Sequence, residues 1–261
     1  MQGRQHLQHL FNILYRVGLR GMGYGNGGDA AMSGEDELLR RIKTWYASTA
    51  AITIFDGGAN VGNYSILLSN VFGAQASVHS FEPSAQTFAT LLANTKELPA
   101  INAINMGLGE REETQTLFLN YEGSAMASLY QRDLDFIDVQ LNKKETIKLT
   151  SIDAYCRANN IAHIHFLKLD IEGHELSALK GAASMMEKNA IDLIQFEFGG
   201  CNIDSKTYFK DFYNLLHKQY RIYRILRNGL AEMSEYRETY EIFTAVNYLA
   251  KRKDSPAFKK E

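Results

Sequence analysis

The chain has 261 residues, 45% of them hydrophobic and 22% charged, and a formal net charge of -2. That is ordinary globular composition, with length enough for one large α/β domain and a proper core. It excludes the strongly basic balance of a nucleic-acid binder, so neither DNA nor RNA is an expected partner. Cys156 and Cys201 stand outside any CxxC or Cys/His zinc spacing, which points to a reducing compartment. The first residues lack a continuous apolar leader-like run, and the expected location is cytoplasmic.

In chain order, residues 6–19 place Leu7, Leu10, Phe11, Leu14 and Val17 at helical spacing among Arg4, Arg16 and Arg20. This helix is expected to dock on the main domain or on a second copy in a homo-oligomer. A peripheral membrane contact is the lesser expectation. A glycine-rich loop (21–35) follows, and Ser33 with Asp36 reads as a loose capping box starting the next helix. Residues 1–48 thus form an N-terminal helical extension, 49–251 the main domain and 252–261 a basic tail.

From Ile52 onward strand-like and helical runs alternate, through "ITIFDGG", "ASVHSFEP", "INAINMGLG", "HIHFLKLDIEG" and "IDLIQFEFGG". Such alternation implies right-handed crossovers and a doubly wound, mostly parallel sheet. The last third reads as a helix (205–218) followed by two strands, which puts an antiparallel strand at one sheet edge. "TQTLFLN" is an added strand, and residues 121–145 read as a lid or binding loop. The run 174–189 reads as one helix.

Ligands of an open parallel sheet sit beyond the carboxyl ends of its strands. Those ends carry Asp56, Glu82, Asp170 with Glu172, and Glu197. Such a ring of acids is better placed facing a ligand than buried without partners. Glu82 lies twenty residues beyond Gly62, the spacing at which an acid accepts hydrogen bonds from ribose hydroxyls. The glycine loop reads Asp56-x-Gly58-x-Asn60-x-Gly62, without the third glycine of a pyrophosphate-binding turn. An acid at its head favours a cationic nucleoside derivative, and S-adenosylmethionine fits.

The segments "FDGGANVGNYS", "SFEPSAQTFATLLAN", "LTSIDAYCRANNIAHIHFLKLDIEGHELSALKGA" and "IQFEFGG" together resemble the FkbM family of S-adenosylmethionine-dependent methyltransferases. The resemblance runs from about Thr53 to Gly200. It implies a seven-stranded class I methyltransferase sheet with one antiparallel edge strand. It also implies that Asp56, Gly58, Asn60 and Gly62 form the cofactor loop and that Glu82, with Pro83 beside it, holds the ribose. Gly107 and Leu108 would lie near the adenine.

The implied reaction is O-methylation of a sugar, glycan or related natural product. An alcohol must lose its proton near the transition state, since its pKa is on the order of the 15.7 of water. A carboxylate or histidine must therefore reach it. Asp170 is the expected neighbour of the methyl group, with Glu172 or His174 as the base and Glu197 as a further candidate. Asp170 and Glu172 share one face if the strand continues through them, and project from its end if a turn begins there. Glu175 is expected on the same side as Glu172. Asp170, Glu172 and Glu197 offer oxygen ligands suited to Mg2+, with no ligand-loop spacing in support. His163 and His165 share a strand face and are expected to be packed rather than metal-bound. Tyr121 and Tyr130 are candidates to stack on a sugar. Two rival readings are a nicotinamide-dependent oxidoreductase, against which the missing glycine and Asp56 speak, and a non-catalytic nucleotide-binding protein.

Overall fold

Successive residues of a strand point to opposite faces, so a run such as Ile54-Phe55 or Phe166-Leu167 needs cover on both sides. The computed structural model, which describes residues 3–25, 33–121 and 123–255, shows how that cover is supplied. The elements run α1 (Gln8–Gly21), α2 (Glu35–Trp45), β1 (Ile52–Gly57), α3 (Asn63–Phe72), β2 (Ala76–Phe81), α4 (Ala85–Thr95) and β3 (Ile101–Ile104). Next come β4 (Gly107–Leu108), β5 (Glu113–Leu119), β6 (Asp133–Leu134), β7 (Val139–Gln140), β8 (Lys143–Thr150) and α5 (Ile152–Ala158). The chain continues through β9 (Ile164–Leu169), α6 (Glu175–Lys180), α7 (Ala183–Glu187), β10 (Ile191–Phe198) and α8 (Cys201–Ser205). It closes with α9 (Phe209–Leu216), β11 (Tyr220–Leu226), β12 (Gly229–Glu232) and β13 (Val246–Arg252).

The main sheet has eight strands in the order β12-β11-β13-β10-β9-β1-β2-β3. The strands β10, β9, β1, β2 and β3 pair in parallel, and antiparallel pairing is confined to the end holding β13, β11 and β12. This is the mostly parallel class I sheet expected, with one strand more than seven because β12 adds a hairpin beyond β11. On one face Ile54, Phe166 and Leu193 meet Leu38, Leu39 and Ile42 of α2 and Leu68 and Phe72 of α3. On the other, Phe55, Leu167 and Ile194 meet residues of α5, α6, α7 and α9. Each such side chain contributes about 1.5–3 kcal/mol by leaving water, so the sheet is committed on both sides.

Several local expectations are corrected. Gly34, with φ 86°, and not Ser33, is the N-cap of α2; the Ser33 hydroxyl instead donates to Glu35 Oε2 at 2.9 Å. The helix expected over 174–189 is two short helices, and that expected over 205–218 begins at Phe209. Helix α1 forms with no fully buried residue and touches the core only through half-buried Leu19, so the expected docking of its apolar stripe onto the main domain is not seen. Part of the glycine-rich loop (26–32) and the end of the tail (256–261) lie outside the described residues.

Candidate functional site

In β1 and β9, Asp56 and Lys168 are register partners, flanked by Ser80 of β2 and Gln195 of β10. Neighbours in register share a face, so these residues make one polar row across four strands. The row is closed from above: Ser65 Oγ of α3 donates to Asp56 Oδ2 at 2.6 Å and lies 2.7 Å from Ser80 Oγ. At the other end Gln195 Nε2 donates to Glu35 Oε1 at 2.6 Å. Asp56 is fully buried and lines neither of the cavities described below. Burial raises its pKa, against Lys168 and the Ser65 hydroxyl. It anchors the row and does not face the cavities as expected.

The glycine loop turns back over this row. Gly58 has φ 83°, and a Cβ there would lie 1.9 Å from the Asp170 carbonyl oxygen, so only glycine lets the loop close on the end of β9. Gly62, also left-handed, caps α3, and a Cβ there would meet Leu91 at 2.8 Å; its role is packing, not lining a cavity. Asn60 adopts φ 49° and its Oδ1 accepts from Val61 N at 2.7 Å. Glu82 accepts Asn60 N at 3.1 Å and Ser84 N at 2.9 Å. Sequence spacing alone assigned its partners to a ligand, whereas the carboxylate first braces the loop. Burial pushes its pKa up to about 7 against those two amides.

At the end of β9 the chain turns rather than continuing as a strand, because Glu172 (φ 51°) and Gly173 (φ 100°) are left-handed. A left-handed glutamate is uncommon and has to be held in place. Glu175, fully buried, does this by accepting Ile171 N at 2.9 Å and Gly173 N at 3.1 Å through Oε1. Burial lifts the Glu175 pKa to about 8. It supports the turn and does not line a cavity beside Glu172 as expected.

Two cavities meet over this turn. A narrow one of about 70 Å³ is lined by Glu82, Pro83, Gly107, Leu108 and His174 with Ser124, Ala125, Ala127 and Leu129 of the lid. A wider one of about 630 Å³ is lined by Glu35, Tyr64, Arg132, Lys168 and Glu197 among others. Gly58, Asn60, Asp170 and Glu172 border both. The narrow slot is far below the roughly 300 Å³ of an ordinary small-molecule site. The lid closes it through alternate residues. Ser128 Oγ donates to the Glu172 carbonyl at 2.8 Å, the Tyr130 hydroxyl lies 2.9 Å from His174 Nδ1, and Arg132 Nη1 donates to Glu172 Oε2 at 2.5 Å. Burial holds the His174 pKa down at about 4, so its ring is neutral.

The charges of the wider cavity are unequally matched. Lys168 Nζ donates to Asp170 Oδ2 at 2.9 Å and sits 4.6 Å from the centre of the Tyr64 ring. Burial opposes its charge, but Asp170, Asp56 and Glu35 together raise its pKa. Burial and the Asp170 charge push Glu172 up to about 7 against Arg132. Among the described residues no donor reaches the Glu197 carboxylate, and burial with the charges of Asp170, Glu172 and Glu175 raises its pKa well above the ordinary range. Asp170, Glu172 and Glu197 place one oxygen each within 4.8 Å of the others. Lys168 and Arg132 already answer two of these charges, so the set does not fit a hard divalent cation and no Mg2+ is assigned.

A family model, described as the methyltransferase FkbM domain, matches residues 56–224. The chain belongs to the FkbM methyltransferase family. Among curated proteins, the hexuronic acid methyltransferase AglP of Haloferax volcanii is 25% identical over 169 residues, 64% of each chain. Methyltransferase 1 of Beauveria bassiana is 22% identical over 143 residues, 49% of this chain and 57% of that protein. The matched region thus spans less than two thirds of either relative. The crystal structure of methyltransferase FkbM from Methylobacillus flagellatus KT superposes with a TM-score of 0.46 at 20% identity, covering 77% of this chain and 44% of that one.

In this FkbM chain the fold brings Gly58, Asn60, Glu82, Pro83, Gly107, Leu108, Asp170, Glu172 and His174 to the cavities, and leaves Asp56 and Gly62 behind them. Sequence reading missed Lys168, Arg132, Glu35 and Tyr64. For Lys168 a signal existed: a lysine two positions before Asp170 inside an apolar strand needs a buried counter-charge. Arg132 had none, since its partners Glu172 and Asp204 lie far along the chain. His163 and His165 are packed as expected. His163 Nε2 lies 3.0 Å from Asp192 Oδ2, and His165 Nδ1 accepts Thr53 N at 2.9 Å. Neither Tyr121 nor Tyr130 lines a cavity, and Phe209 and Phe212 are core.

Proposed function

We propose that this protein transfers a methyl group from S-adenosylmethionine to a hydroxyl of a sugar or sugar acid. The observation that carries this reading is the meeting, at Asp170, of a slot walled by Glu82, Gly107 and Leu108 with a wider, acid-lined cavity. The residues fit the cofactor. Gly58 lets the loop backbone close on the Asp170 carbonyl at the edge of both cavities, and Glu82 keeps oxygen lone pairs for ribose hydroxyls beyond its two amides. Asp170 keeps its second oxygen, beyond the bond to Lys168, for a cationic group of the ligand. When bound, S-adenosylmethionine supplies an electrophilic methyl group on a sulfonium.

The protein's own contribution is position and proton removal. Glu197 is the base of this proposal. Asp170 and Glu172 are each bonded to a cation, which weakens them as proton acceptors, while Glu197 is bonded to none and feels their negative charge more than the positive charge of Lys168. His174 is tied to Tyr130 at the narrow slot and positions the lid rather than serving as the base. The lid lines both cavities, with Ala125 bordering each, and so limits the approach of water to the reacting groups. The sugar-acid acceptor follows the named activity of the Haloferax relative; cavity acids would accept hydrogen bonds from the sugar hydroxyls. A nicotinamide enzyme is disfavoured by the family.

Calorimetric titration with S-adenosylhomocysteine, with NADH in parallel, tests the cofactor. Labelled methyl transfer to a panel of neutral sugars and hexuronic acids tests the acceptor. Micromolar binding of S-adenosylhomocysteine alone, with label on a sugar, is the expected result. Binding of NADH instead, or label on no hydroxylated acceptor, overturns the reading.

A further inference from the structure

Helix α1 carries a run of apolar residues that the domain leaves uncovered. Leu10, Phe11, Ile13, Leu14, Tyr15 and Val17 are all exposed, Leu14 by 53% and Val17 by 62%. At 3.6 residues per turn Leu7, Leu10, Phe11, Leu14 and Val17 form one stripe, while His9, Arg16 and Arg20 fall on the opposite side. The segment contains Arg4, Arg16 and Arg20, and the first acid in the sequence is Asp29. In a chain of net charge -2 this is a local positive patch. Fourteen residues make a helix about 21 Å long, and among the described residues no helix is long and apolar enough to cross a membrane.

The helix is fixed at one end only. Tyr24 is buried and its hydroxyl accepts from Arg224 Nη1 at 2.8 Å, while Gly25 N donates to the Ala245 carbonyl at 3.0 Å. Ala245 lines the wider cavity, so the helix is rooted at the rim of that cavity.

We propose that α1 docks this protein on an anionic lipid surface, lying in its plane with the leucine face in the acyl boundary and Arg16 and Arg20 at the headgroups. The charge pattern selects this occupant. Pairing of α1 with the same helix of a second copy would cover the leucine face but bring no counter-charge to Arg16 and Arg20, since neither segment contains an acid. Anionic headgroups supply that missing counter-charge, and exposed leucine, phenylalanine and tyrosine side chains find an apolar boundary. Docking in this way brings the rim of the wider cavity to the lipid surface. The inference does not depend on which acceptor is methylated.

Flotation of the full chain with phosphatidylglycerol vesicles and, separately, phosphatidylcholine vesicles tests it. The expected result is binding to the first and not the second, weakened by high salt. Arg16→Glu or Arg20→Glu should each lower vesicle affinity about fivefold or more. Leu10→Glu with Leu14→Glu should abolish binding and leave the melting temperature unchanged, because neither side chain is buried in the domain. Failure to bind phosphatidylglycerol, equal binding to both vesicles, or binding untouched by the leucine changes would overturn the proposal. So would sedimentation equilibrium showing a dimer that the leucine changes dissociate, which would give this face to a second copy.

Discussion

Strand β10 carries an acid at each end, and the two sit in opposite circumstances. Near its amino end Asp192 accepts from the Tyr46 hydroxyl at 2.8 Å and from Arg252 Nη2 at 2.6 Å, and lies 3.0 Å from His163 Nε2. Although burial works against its charge, these partners hold its pKa down at about 2. At the carboxyl end no donor among the described residues reaches Glu197, and burial with the charges of Asp170, Glu172 and Glu175 outweighs that of Lys168, so its pKa is raised. One strand thus holds an acid that serves stability and an acid kept out of balance, which is the state a proton acceptor requires. The difference lies in what the neighbouring elements bring: Arg252 from β13 to one end, Asp170 and Glu172 from the turn after β9 to the other.

The strongest way to break this contrast is at the amino end. Asp192→Asn leaves Arg252 buried without its counter-charge, and the expected loss is about 3–5 kcal/mol. For a chain of this size that lowers the melting temperature on the order of 10 °C, read by calorimetry. Glu197→Gln should do the reverse. Turnover should fall about 10²- to 10⁴-fold, with S-adenosylhomocysteine affinity retained and the fold unharmed or slightly stabilised at alkaline pH. Turnover that survives would move the base to Glu172 or Asp170. Arg132→Ala removes the lid's grip on Glu172; a charged hydrogen bond of about 1.5 kcal/mol corresponds to a tenfold weaker hold on cofactor, measured as dissociation rate.

The smallest effect sharpens the comparison through pH. Asp192, with its pKa lowered to about 2, contributes stability that is present above the ordinary carboxylate range and lost as pH falls through 2. Glu82 and Glu172, raised to about 7, and Glu175, raised to about 8, have the opposite sign. The folded state binds their protons more tightly than the unfolded chain, so stability declines as pH rises from the ordinary carboxylate range toward 8. Melting temperature against pH should therefore fall on both sides of a mildly acidic maximum. Asp192→Asn should flatten the acid limb, and Glu175→Gln the alkaline one. An unchanged alkaline limb in Glu175→Gln would place the titration elsewhere.

Much of this was legible from residues read in order. The alternation that exposes both faces of β1, β9 and β10 follows from local pattern, and the acids after those strands mark the edge where ligands gather. The lid was legible as a segment too long for a plain connection, although its short β6–β7 hairpin and its bridge to β5 were not. Spacing also misassigned some roles. Asp56 and Gly62 stand in the glycine motif beside Gly58 and Asn60, but the first is turned into the polar row and the second into Leu91.

The sequence by itself determined the sheet, its two covered faces and the rim on which the acids fall, because side-chain alternation and turn chemistry act over a few residues. Tertiary structure decided which acid is paired and which is not. Lys168 beside Asp56, Arg132 on Glu172 and the amides around Glu82 come together only when parallel crossovers and the lid fold back on the strand ends. A carboxylate's proton affinity is set by charges and donors within a few ångströms, and those neighbours come from distant parts of the chain.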